Sequence, residues 1–199
     1  MALIAEDKII TIGVVSRLER IKGMDLVIPA FAKVHAVYPN TRVLIVGDGS
    51  LRQSMEQSAK DFENSVDRNV DAPSDSKLVT FMGRQPQDKL QDCYDQIDIL
   101  LMPSRSEGFG LTAVEGMARG CVLVVTDTGG LPEVVRDGVD GLLHKPEDVE
   151  DLAEKIKMVV GDRELMKKLS DNAIKRARDF SRERYNAAIA AWYNQLSNS

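Results

Sequence analysis

The chain has 199 residues, 43% hydrophobic and 29% charged, with a formal net charge of −5. These proportions belong to an ordinary globular protein, and the length suits one domain with a well-buried core or a domain with a helical appendage. An acidic balance without a basic stripe speaks against nucleic acid as a partner, and no apolar run reaches the ~20 residues of a transmembrane segment.

The opening MALIAEDKII is too short, and too soon charged, for a secretory signal. Cys93 and Cys121 are the only cysteines, too few for a disulfide framework, so a cytoplasmic protein is expected. With His35 and His144 as the only histidines, no Cys/His metal site is expected either.

In chain order, residues 8–15 form an apolar, β-branched run and predict a buried strand. Residues 23–37 place Leu26, Ile28, Phe31 and Val34 at helical spacing, with His35 read as a solvated position. Residues 42–46 (RVLIV) predict a second strand, ended by Gly47-Asp48-Gly49, and residues 51–62 a helix. Residues 63–77, rich in Asn, Ser, Asp and Pro, predict a solvated loop. Strands follow at 77–81, 97–102, 121–126 and 141–144, with helices at 86–96 and 109–119 and a short one after Leu131. Beyond Pro146 the pattern is helical throughout, over 147–160, 163–179 and 182–196.

Six strands alternating with helices predict an α/β fold, a doubly wound, Rossmann-like parallel sheet, with C-terminal helices appended. The expected organisation is one domain over 1–199, with an α/β core at 8–146 and a helical segment at 147–199. In such sheets ligands bind beyond the carboxyl ends of the strands. The loops at 16–23, 47–50, 81–84, 103–110 and 126–132 all follow strands and are expected on one rim.

The strongest local signal is Pro103-Ser-Arg-Ser-Glu107-Gly108-Phe109-Gly110-Leu111-Thr112-Ala-Val-Glu115. A strand exit runs through two glycines into a helix whose first N–H groups point outward, a natural anion site. Glu107 and Glu115 would repel an anion but would suit sugar or ribose hydroxyls. A plain strand–helix turn with a solvated Glu at each end reads the same residues equally well. Ser16-Arg17-Leu-Glu-Arg-Ile-Lys22-Gly23 offers a guanidinium fork and a point charge for phosphate, or two solvated loop cations. The Gly47 turn lacks the third glycine of a dinucleotide fingerprint, because position 52 is Arg, which disfavours a dehydrogenase. Phe81-Met82-Gly83-Arg84 reads as a turn that could also meet a base edge. Thr126-Asp-Thr-Gly129-Gly130-Leu-Pro132-Glu133 is either a tight turn into a proline-initiated helix or a ligand contact.

Taken together, Arg17…Lys22-Gly23, EGFGLTAVE and GGLPE resemble, in order and spacing, the C-terminal domain of retaining GT-B glycosyltransferases. These are family 4 and its relatives (the group 1 type), which include sucrose synthases, glycogen synthases and many bacterial lipopolysaccharide and mannosyl transferases. The resemblance covers about residues 8–196. It implies a hexosyltransferase acting on a UDP-, GDP- or ADP-sugar with retention, no cofactor and no divalent metal. It further implies that Arg17 and Lys22 hold the diphosphate and that Glu107 binds the donor sugar, these three forming the catalytic set. Gly108, Phe109, Gly110, Leu111 and Thr112 would bind sugar and phosphate, Glu115 the ribose, and Met82, Gly83 and Arg84 the base.

Two departures stand out: Ser16 replaces the family's usual Gly, and the 63–77 loop is longer than that connection needs. An N-terminal acceptor domain is absent from these 199 residues, so the expectation is a donor half that is inactive alone and needs that domain or a partner subunit. Tyr185, Trp192 and Tyr193 are expected to mark a face that packs on it. The alternative is a non-catalytic interaction module that keeps the fold.

Overall fold

The computed structural model describes residues 9–66 and 77–184, with Asn186 and Ala190. One six-stranded, all-parallel sheet runs in the order β3-β2-β1-β4-β5-β6. Its strands are β1 (Ile10–Val15), β2 (Thr41–Val46), β3 (Val79–Gly83), β4 (Ile99–Met102), β5 (Val122–Thr126) and β6 (Gly141–His144). Every residue of β1, β4 and β5 is buried, as expected where helices cover both faces of a parallel sheet.

Alternation along the strands sends side chains into two separate cores. Ile12, Val14, Val43, Ile45, Ile99, Leu101 and Val124 meet α1 (Val27–His35), α2 (Arg52–Ser65) and α6 (Val149–Gly161) on one face. Leu44, Val46, Leu100, Met102, Leu123 and Val125 meet α3 (Leu90–Tyr94), α4 (Leu111–Ala118), α5 (Leu131–Val134) and α7 (Arg163–Ala177) on the other. The predicted doubly wound sheet is therefore the observed one. Asp148 and Asp162 cap α6 and α7, each accepting a hydrogen bond from an N–H three residues on at 2.9 Å.

Several local expectations change. The helix expected over 23–37 is one tight 3-10 turn, Met24–Leu26, followed by α1, and a second 3-10 turn, Arg20–Lys22, stands in the expected loop before it. Gly23 between them is left-handed, with φ 68, and a Cβ there would lie 1.8 Å from the Pro103 carbonyl oxygen. Only glycine lets these two loops cross so closely. Strand β3 starts two residues later than predicted, and the Leu78 and Val79 N–H groups at its start both donate to the Glu63 carboxylate at 2.9 and 3.2 Å. Residues 63–65, assigned to the solvated loop, continue α2, while 67–76 lie outside the described residues. So do Tyr185, Trp192 and Tyr193, and with them the expected face of the last helix. His35, expected in solvent, is 7% exposed. It packs against Phe31 and Phe62 at ring distances of 5.4 and 5.7 Å, with Nδ1 3.2 Å from the Thr41 hydroxyl.

Candidate functional site: a cleft at the sheet's switch point

Strands β1 and β4 are neighbours at the centre of the sheet, but β1 leads to α1 on one face and β4 to α4 on the other. The loops after them part and leave a crevice at the carboxyl rim, the position where such sheets hold ligands. Two adjoining chambers occupy it. Both are lined by Val15, Ser16, Arg17, Leu111 and Thr112.

The first chamber has a volume of about 340 Å³ and adds Lys22, Ser104, Glu107, Phe109 and Gly110. Lys22 Nζ donates to Glu107 Oε2 at 2.7 Å, and the two side chains are only 20% and 16% exposed. They stand 85 positions apart in sequence and meet because their strands are adjacent. This contact gives the partly buried carboxylate a cationic partner that offsets part of its charge. Arg17 is exposed, and among the described residues it has no side-chain hydrogen bond or salt bridge. The start of α4 lies between the chambers. Gly110 is its N-cap, with φ 89 and no side-chain cap, and the first helical bond runs from the Ala113 N–H to the Gly110 carbonyl. The amides of Leu111 and Thr112 precede that bond and point out of the helix at its positive end.

The second chamber, about 660 Å³, is walled by Gly47, Asp48, Gly49, Arg84, Gln85, Gln87, Leu90, Tyr94 and Glu115. Tyr94 is 2% exposed, and its hydroxyl donates to Glu115 Oε2 at 2.7 Å. Burial pushes the Tyr94 phenol well above its ordinary pKa, and the Glu115 carboxylate reinforces the shift, so the proton stays on the phenol.

The structure thus gathers Ser16, Arg17, Lys22, Glu107, Phe109, Gly110, Leu111, Thr112, Arg84 and Glu115 around one cleft. Three expected residues do not line it. Met82 packs into the second core, and the Gly83 carbonyl accepts the Gly47 N–H at 2.9 Å. Gly108 turns its carbonyl toward the Gly129-Gly130 turn: a Cβ on Gly130 would lie 2.2 Å from it, and one on Gly129, with φ 56, 2.1 Å from the Glu107 carbonyl oxygen. That turn braces the Glu107 loop from behind, through a Gly130 N–H to Glu107 carbonyl bond of 3.0 Å, and lines neither chamber.

Arg105 is also turned away from the cleft. Its guanidinium clamps Asp25 at 2.7 and 2.9 Å, holds Glu147, and reaches the Arg20 carbonyl. It therefore ties the Lys22 loop to the Glu107 loop. Burial opposes ionisation of Asp25, but the Arg105 guanidinium outweighs it and holds that carboxyl below its usual range. The Cys121 thiol, pushed up to about 12 chiefly by burial, is no nucleophile at neutral pH. Among the described residues no group of three or more His, Cys, Asp or Glu side chains could hold a metal ion, and no helix is long and apolar enough to cross a membrane.

Tyr94 is among the cleft residues that sequence reasoning missed, with Ser104, Gln85 and Gln87. The Tyr94 ring lies in the second core. The available signal was chemical: a buried phenol needs a hydrogen-bond partner.

Residues 3–176 match the profile of the family described as glycosyl transferases group 1. This chain belongs to that family. An uncharacterized glycosyltransferase of Methanocaldococcus jannaschii is 33% identical to it over 177 residues, 89% of this chain and 46% of the relative. The chain therefore spans about half the length of that relative. The C-terminal domain of a group 1 glycosyl transferase (LpcC) from Francisella tularensis superposes with a TM-score of 0.74 at 26% identity, covering 85% of this chain and 84% of that domain. The Anabaena protein HepE, solved in complex with UDP, superposes with a TM-score of 0.78 at 25% identity, over 97% of this chain and 50% of that one. The fold is thus that of a GT-B glycosyltransferase C-terminal domain.

Proposed function

We propose that the cleft binds a nucleotide-diphosphate sugar (UDP-, GDP- or ADP-linked) and that the domain supports retaining hexosyl transfer to an acceptor held by a second lobe. The observation that carries this reading is one cleft divided into two chambers that join at Arg17 and the start of α4. The larger chamber suits a nucleoside, with Glu115 for the ribose and Arg84, Gln85 and Gln87 toward the base. Met82 and Gly83 support that wall from behind. The smaller chamber suits a hexose, with Glu107 for its hydroxyls. The diphosphate then lies at the junction, against Arg17, Lys22 and the outward amides of residues 110–112. HepE, the neighbour solved with UDP, supports the assignment.

In the proposed reaction the bond from the sugar's anomeric carbon to the phosphate oxygen breaks. The acceptor oxygen bonds to the same face, and its proton passes to the departing phosphate. Arg17, Lys22 and the helix terminus stabilise charge on that leaving group, the role a metal ion has elsewhere. Glu107 and Glu115 position hydroxyls and form no covalent bond. Phe109 and Leu111 are 48% and 68% exposed at the cleft mouth. A second lobe, in the same polypeptide or a partner, would cover them and exclude water, so the domain alone should give negligible transfer. The buried free thiols of Cys93 and Cys121 suit a reducing compartment, the cytoplasm.

The test is calorimetric titration with UDP, GDP, ADP and their glucose and mannose esters, with and without EDTA, beside an Arg17→Ala/Lys22→Ala double variant. Saturable binding of one nucleotide series, unaffected by EDTA and lost in the variant, is expected. No binding by any nucleotide would favour a non-catalytic interaction module built on the same fold.

A further inference from the structure

Tyr94 lies at the end of α3, 21 positions before Glu115, and takes no part in the roles proposed above. Its ring belongs to the second core, yet its hydroxyl emerges at the wall of the larger chamber. There it donates to one oxygen of Glu115 at 2.7 Å, so the phenol is tied to α4 at the chamber wall.

We infer that Tyr94 is a positioning residue that aims Glu115, so that one carboxylate oxygen is committed to the phenol and the other is left as a fixed acceptor for the ribose hydroxyls. The inference deepens the donor-site reading and rests on it. A Glu side chain at a cleft wall has several rotamers, and a hydrogen bond that confines it lowers the cost of ordering it around a ligand. The phenol is suited to the task because it is buried and stays protonated, so it acts as a donor across the working pH range. Glu115 is in turn held as an acceptor, which selects ligands that offer hydroxyl donors at that point. The consequence is a preference for ribose over 2′-deoxyribose.

The experiment compares UDP with 2′-deoxy-UDP (or whichever of GDP and ADP binds, with its deoxy form) on wild type, Tyr94→Phe, Glu115→Gln and the double variant. Wild type should prefer the ribonucleotide by about tenfold, the worth of one good hydrogen bond to a charged group. Tyr94→Phe should weaken ribonucleotide binding about three- to tenfold, leave the deoxynucleotide nearly unchanged, and so bring the ratio close to one. In the Glu115→Gln background the same change should add little, because the phenol acts through that carboxylate. A purely structural tyrosine would weaken both ligands alike. A ratio preserved in Tyr94→Phe overturns the inference and leaves the donor site standing, as does a wild type that does not discriminate. Failure of wild type to bind any nucleotide removes the donor reading, and this one with it.

Discussion

At the scale of single residues, the Lys22–Glu107 contact sets the chemistry of the smaller chamber. Lys22 is not a free cation waiting for phosphate; it is engaged at 2.7 Å with a carboxylate that is itself mostly buried. Arg17, by contrast, has no side-chain hydrogen bond or salt bridge among the described residues. On the proposed donor reading, a bare nucleoside diphosphate would approach Lys22 against Glu107, whereas a sugar ester would present hydroxyls to Glu107 as it arrives. Glu107→Gln should consequently tighten UDP binding, by about three- to tenfold, while narrowing the preference for UDP-glucose over UDP. Titration of both ligands checks this, and weaker UDP binding would show that the carboxylate does not oppose the diphosphate. The magnitude follows from removing one charge about 6 Å from another in an open, solvated cleft, at an effective dielectric of about 40–80.

At the scale of elements, two devices hold the rim together. The first is the Arg105 clamp, whose side chain is 15% exposed and joins Asp25, before α1, to Glu147, before α6. Glu147 has φ 60, uncommon for a residue with a side chain, and the ion pair helps to hold it there. Arg105→Ala should lower stability by roughly 2 kcal/mol, since it leaves a partly buried carboxylate without its fork. Because the Lys22 and Glu107 loops then keep only the Lys22–Glu107 pair and the Arg105 N–H to Ile21 carbonyl bond between them, nucleotide affinity should fall as well, although Arg105 lines neither chamber. Urea unfolding and titration separate the two effects; unchanged stability would mean the clamp is a surface pair of no consequence. The second device is the capping of the C-terminal helices. Asp162→Ala removes the acceptor for the Leu165 N–H and should cost about 1 kcal/mol with no effect on nucleotide binding. Calorimetric melting tests this, and a drop of about 2–4 °C is expected for a chain of this size.

At the scale of the whole molecule, acid should destabilise the protein in two stages. Both histidines are buried, and burial lowers the pKa of each below the ordinary value. His144 sits 3.0 Å from the Thr126 hydroxyl, with its other nitrogen 2.8 Å from the Lys145 carbonyl. The folded state keeps these rings neutral while the unfolded chain takes up protons below pH ~6.5. Where the unfolded state binds more protons, stability rises with pH, so this contribution is complete above ~6.5 and is lost as pH falls below it. Asp25 and Glu147, held below their usual range, add a second loss of the same sign once the unfolded carboxylates protonate near pH ~4. Urea unfolding between pH 8 and pH 5 should show a plateau down to about pH 6.5 and a decline below it; a flat profile over the whole range would contradict the histidine contribution.

The sequence by itself determined the alternation of strands and helices, the two-sided burial of the sheet and the rim on which the cleft lies. Each of these follows from local period and from strand-exit residues such as Gly110 and Gly129, which the chain carries within a few positions. Ten of the expected site residues reach the cleft for that reason. Sequence did not determine which strands adjoin. Strand order placed β1 beside β4, and only then did Lys22 meet Glu107 across 85 positions and Gly23 pass under Pro103. The same holds for residues whose meaning lies in a distant partner. His35 is buried because α2 brings Phe62 over it, Arg105 is a clamp because Asp25 and Glu147 converge on it, and Tyr94 joins the site because α4 presents Glu115 to its hydroxyl. Pairings of that kind are set by packing between elements far apart in the chain, which no local pattern encodes.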